Sequence, residues 1–129
     1  MNMRDFQFTF ERPPPTPTAI STIEEVFAWC VWKAMQLRVN DLVFEESKKG
    51  LTASCIVYSK LAVRKGEHRE IARFPHLRGT PLKSLPEKGS GVAIADDVRW
   101  SVRVWTCYRM AGNEFRSCAI VRLLPPPQG

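Results

Sequence analysis

The chain has 129 residues, 44% of them hydrophobic and 25% charged, with 19 Lys and Arg against 13 Asp and Glu and a formal net charge of +6. A chain of this length buries roughly two-thirds of the surface its unfolded form exposes, so one domain over 1–129 needs neither a metal nor disulfides for its core. No apolar run approaches the ~20 residues of a membrane span, and the expectation is a protein with no membrane partner.

Residues 4–12 place Phe6, Phe8 and Phe10 at every second position, which predicts an N-terminal strand over 1–12 with one buried face. The same stretch has no continuous apolar run, which excludes an ordinary secretory signal and predicts an intracellular, cytoplasmic protein. Pro13, Pro14, Pro15 and Pro17 then make 13–20 an extended spacer, with a proline ligand for an SH3-type domain as the alternative.

A helix over about 22–38 follows. Thr22 and Glu25 stand at capping-box spacing, and Ile23, Val26, Phe27, Cys30, Val31, Ala34 and Leu37 form one apolar stripe. After Asn40-Asp41 the pattern turns to strands: a short one at Leu42-Val43-Phe44, a turn at Lys48-Lys49-Gly50 and a long alternating run from Leu51 to Val63. Residues 65–91 are punctuated by Gly and Pro. Within them Glu70–Phe74 reads as an edge strand or a helical turn, and Gly89-Ser90-Gly91 as a turn. Asp97–Met110 and Glu114–Leu124 alternate around Gly112-Asn113, which predicts a hairpin, and Pro125-Pro126-Pro127 opens a proline-rich tail over 125–129. The expected fold is α+β: one long helix packed on a four- to five-stranded, mainly antiparallel sheet, with its core in 21–124.

Two surfaces carry the functional argument. If the last hairpin closes on Gly112-Asn113, Arg109 faces Arg116 and Arg103 faces Arg122. Like charges directly across a strand pair are destabilising, and an anion on that face relieves them. Arg99 and Trp105 share this face, and Tyr58, Lys60 and Arg64 have the same parity on the earlier strand. Arginine forks with interleaved rings suit a phosphate backbone. The plainer alternative is a solvated face whose arginines pair with Glu45, Glu46 or Glu67. On the helix, Trp29 and Trp32 fall on the side opposite the core stripe. Burial against another element or a twin subunit explains such a pair, as does a stacking platform; the acidic Glu24 and Glu25 argue against a membrane-surface helix.

Trp29-x-x-Trp32 on an N-terminal helix, followed by a sheet with an arginine-bearing face, resembles the tombusvirus and aureusvirus RNA silencing suppressors. The resemblance implies that paired tryptophans stack on the ends of short double-stranded RNA while a homodimer's sheet holds the backbone. Trp29 and Trp32 carry over by motif; the arginines follow from parity alone.

Enzyme chemistry finds no signature. His68 and His76 lie in the least regular stretch, and neither adjoins a nucleophile motif. Cys30, Cys55, Cys107 and Cys118 contain no C-x-x-C pair and read as reduced thiols; Cys107 and Cys118 as cross-strand neighbours lack further metal ligands. The expectation is a non-enzymatic protein without cofactor, metal or small-molecule substrate, which binds double-stranded RNA and resembles a viral suppressor of RNA silencing. The alternative is a protein-interaction module (adaptor, inhibitor or chaperone) that uses the Trp29/Trp32 helix face; the strand-helix-strands order also suits cystatin-like and other compact α+β rolls.

Overall fold

The helix begins where the capping box puts it. Thr22 Oγ1 accepts the Glu25 N–H at 3.2 Å, Glu25 Oε1 accepts the Thr22 N–H at 3.2 Å, and α1 runs Ile23–Leu37. It ends at Arg38, whose φ of 55° is left-handed and turns its N–H onto the Ala34 and Met35 carbonyls. The structure, a computed structural model, describes residues 5–57, 67–85 and 88–127. Tyr58, Lys60, Arg64 and the second half of the long run predicted to Val63 lie outside the described residues.

Around α1 stand β1 (Asp5–Phe10), β2 (Asp41–Ser47), β3 (Gly50–Val57), β4 (Glu67–Phe74), β5 (Lys88–Ala95), β6 (Val98–Ala111) and β7 (Glu114–Leu124), with a short 3-10 turn at Pro81–Ser84. They form one seven-stranded sheet in the order β1-β5-β6-β7-β2-β3-β4. Every neighbouring pair is antiparallel except β1 and β5, which run parallel.

This corrects the expected fold class. Among the described residues the chain is mostly sheet, a curled half-barrel of seven strands with one short α-helix, rather than one long helix on four or five strands. The extra strands come from the Gly- and Pro-punctuated stretch, which supplies β4 and β5; the predicted N-terminal strand is β1, which adds a parallel edge. Seven strands laid flat at ~4.8 Å spacing span roughly 30 Å, whereas a helix with its side chains is about 10–12 Å across. One helix cannot cover such a sheet unless the sheet curls. The core reflects that curl: Val26, Phe27, Cys30 and Val31 of α1 share one buried cluster with residues from β2 to β7, and the half-buried Phe8 and Phe10 of β1 pack against it. Phe27 lies at its centre, 5.7 Å from the ring of Phe8 and 5.6 Å from that of Phe44.

Three tight turns set the local registers. Gly112, at φ 63°, closes the β6–β7 hairpin, and the expected register holds throughout: Arg109 opposite Arg116, Cys107 opposite Cys118 and Arg103 opposite Arg122. Asp96 and Asp97, with φ of 51° and 62°, form a primed turn between β5 and β6. Gly89-Ser90-Gly91 is therefore not a turn but lies inside β5, with Gly89 paired to β6 and Ser90 and Gly91 paired to both β1 and β6. Among the described residues no helix is long and apolar enough to cross a membrane.

Gly50 joins β2 to β3 at φ 111°, and a Cβ there would sit 2.4 Å from the Phe74 carbonyl oxygen. Backbone atoms cannot yield as side chains do. Gly50→Ala is expected to lower stability by roughly 2–3 kcal/mol in a urea titration, with the midpoint falling at unchanged slope.

Candidate nucleic-acid interface

Strand pairing arranges the sheet face opposite α1 in rows. One row runs Ser90, Arg103, Arg122 and Asp41 across β5, β6, β7 and β2; the next runs Lys88, Trp105, Ile120 and Val43; a third joins Cys107, Cys118 and Glu45. Arg109 and Arg116 end the hairpin beyond them.

The two arginine pairs meet different surroundings. Glu45 accepts from Arg109 Nη1 at 3.3 Å through Oε2 and from Arg116 Nη1 at 3.0 Å through Oε1. One carboxylate thus relieves the 109/116 repulsion from within. Arg122 donates through Nε to Asp41 Oδ1 at 3.0 Å, and its guanidinium lies 5.6 Å from the centre of the Trp105 ring. For Arg109 and Arg116 the plainer alternative of pairing with Glu45 holds, and Asp41, also on β2, supplies the carboxylate for Arg122. Glu46, also considered for this role, points to the core face, is buried and accepts the Leu82 N–H at 2.8 Å, and the side chain of Glu67 lies outside the described ones.

Arg103 and Lys88 differ from these. Both are exposed, and among the described residues neither has an ion-pair partner. With Trp105, Arg122, Ser90 and Leu124 they line a cavity of about 590 Å³. Arg99 is also exposed but stands further along β6, opposite Ile94. Lys88 was not among the residues that parity singled out. Its stretch reads as loop, and the signal that reveals a strand there is alternation leading into the Asp96-Asp97 turn.

Trp29 and Trp32 do not project freely. Both are half-buried, and Trp29 packs against the core cluster. The exposed aromatics are elsewhere: Tyr108 and Phe115, each 77% exposed, with Met110 at 53%, on the side of the β6–β7 hairpin that faces α1 lower down. The hairpin outruns the helix, so the alternation that buries Val102 and Val104 leaves Tyr108 and Met110 uncovered.

Cys107 and Cys118 are cross-strand partners, as their parity indicates. Burial pushes the Cys118 thiol up to about 11, helped by the nearby Glu45 and Cys107, and burial alone raises Cys30 to about 12. Both are poor nucleophiles at neutral pH. Among the described residues no group of three or more His, Cys, Asp or Glu is placed to hold a metal ion. His76 Nε2 lies 2.8 Å from the Ser21 carbonyl, and His68 is exposed on the edge strand β4.

No family model, no curated protein and no solved structure matches the chain. Function must therefore be argued from the rows themselves.

Glu45→Gln leaves Arg109 and Arg116 opposed without a counter-charge. The variant is expected to lose about 1–2 kcal/mol in chemical denaturation, and Arg109→Gln added to it should restore part of that loss.

Proposed function

We propose that the chain is a non-enzymatic RNA-binding protein that holds RNA phosphates on the sheet face opposite α1, at the end where Lys88, Arg103 and Arg122 surround Trp105. The observation that carries this reading is the exposure of Arg103 and Lys88 without a carboxylate partner among the described residues, beside an aromatic ring. A fork and an ammonium so placed attract phosphate oxygens without reading base sequence. The +6 net charge supports encounter with a polyanion.

The resemblance to viral silencing suppressors extends the reading to capture of short double-stranded RNA by a homodimer, in the cytoplasm of a host cell. Duplex RNA is bound largely by shape, phosphates and 2′-hydroxyls, which needs no further chemistry from the protein. Trp29, packed against the core, is assigned to stability rather than to end-stacking, and Arg109 and Arg116, bridged by Glu45, contribute less than Arg103.

A second reading, a protein-interaction module, is favoured by one observation: the exposed Tyr108, Met110 and Phe115 on the hairpin. An apolar anchor of this kind, rather than the Trp29/Trp32 helix face, would seat the partner.

Salt separates the two. Fluorescence anisotropy with short RNA duplexes is expected to show affinity falling steeply as salt rises, and Lys88→Ala/Arg103→Ala should lower the slope of log K against log salt by about 2. Absence of binding to any RNA at low salt sinks the RNA reading. A protein partner lost on Tyr108→Ala/Phe115→Ala, with little salt dependence, establishes the second.

A further inference from the structure

Among the described residues of β5 and β6, Lys88, Arg99 and Arg103 are exposed cations without an ion-pair partner. Lys88 and Arg103 lie in adjacent rows, and the row beyond them, Val92, Ser101 and Leu124, carries no charge. On the other side Glu45 neutralises much of the hairpin end. Lys88 and Arg103 therefore form one short basic island, which the uncharged row of Ser101 separates from Arg99.

The charge of the island also discriminates. Arg122 is paired with Asp41, and among the described residues the two charges of Lys88 and Arg103 have no carboxylate partner in the cavity. A phosphodiester brings one negative charge, whereas a phosphate monoester near neutral pH brings about −1.5 to −2. The cavity of about 590 Å³ lies in the range of small-ligand sites, and its other walls are the half-buried Trp105 ring and the Leu124 side chain. An apolar wall next to a dianion site fits a nucleoside carrying a terminal phosphate, and only an unpaired or end nucleotide can present its base or sugar there.

From these features we infer that the Lys88/Arg103/Arg122/Trp105 cavity takes a nucleoside 5′-monophosphate group, supplied by the phosphorylated 5′ end of an RNA strand. The inference rests on the RNA-binding reading and narrows it from RNA phosphates in general to the strand end. Lys88 and Arg103 hold the phosphate, Arg122 stays on Asp41 and stiffens the Trp105 wall, and the terminal nucleoside lies against Trp105 and Leu124. A free mononucleotide carries the same chemistry, so the experiment includes it.

Short RNAs identical except for a 5′-phosphate or a 5′-hydroxyl, each as single strand and as duplex, are titrated with the full chain by anisotropy, and adenosine 5′-monophosphate and adenosine by calorimetry. The proteins are wild type, Arg103→Ala, Lys88→Ala and, as an exposed control that removes the same charge, Lys49→Ala; circular dichroism checks that each is folded. The expected result is a preference of roughly tenfold or more for the phosphorylated RNA. Arg103→Ala and Lys88→Ala should abolish that preference while Lys49→Ala keeps it. Equal binding of both RNAs overturns the strand-end inference and leaves RNA binding standing. Binding of the mononucleotide with no binding of either RNA overturns the strand-end source and the RNA reading together, while locating the monophosphate in the cavity. Failure of every probe to bind overturns both.

Discussion

The structure depends on one short helix having to cover a wide sheet. α1 has 15 residues, about four turns, yet it supplies the buried stripe against which every strand packs. Fully burying side chains such as Phe27, Phe44 or Leu42 is worth about 1.5–3 kcal/mol each, and that gain is available only if both halves of the sheet bend toward the helix. Curl, strand count and core composition are thus one constraint. Small residues at the sheet's inner positions, Ala53, Ala93 and Ala119, are all fully buried and leave room for the phenylalanine stack.

The same curl determines the chemistry of the opposite face. β7 pairs with β6 through a tight turn, but its other neighbour is β2, more than 70 residues away in the chain. That distant strand brings Asp41 beside Arg122 and Glu45 beside Arg116. The hairpin carries five arginines, and β2 supplies the carboxylates that pair three of them, Arg109, Arg116 and Arg122. Among the described residues, Arg99, Arg103 and the neighbouring Lys88 of β5 keep no ion-pair partner. The site's location is therefore a by-product of the sheet's strand order, and its selectivity, if phosphate is the ligand, follows from how many charges β2 cancels.

The hairpin tip illustrates a second consequence. Alternation along β6 is uniform, yet Val102 and Val104 are nearly inaccessible while Tyr108 is mostly exposed. The difference is the reach of α1, which ends before the hairpin does. An apolar set left beyond its cover is more often an interaction surface than a defect.

Local physics made several elements legible from the sequence alone. The capping box and the three-four spacing gave α1 nearly to the residue, and the two-residue turn at Gly112-Asn113 defined which arginines face each other, since turn length sets register. Other features were hidden. Glycines in 89–91 look like turn residues but lie in a strand because β1 and β6 pair with it from both sides, and Asp96-Asp97 turn although neither is glycine. Trp29 looks exposed by helical angle, yet the curled sheet half-buries it. Amino-acid order thus set α1, the last hairpin and the pairing across its turn, because those depend on neighbours a few residues apart. Which strand lies beside β7, which arginines gain a carboxylate and where the glycines of β5 pair were settled in three dimensions, because lateral order in a sheet depends on how the whole chain closes over one helix.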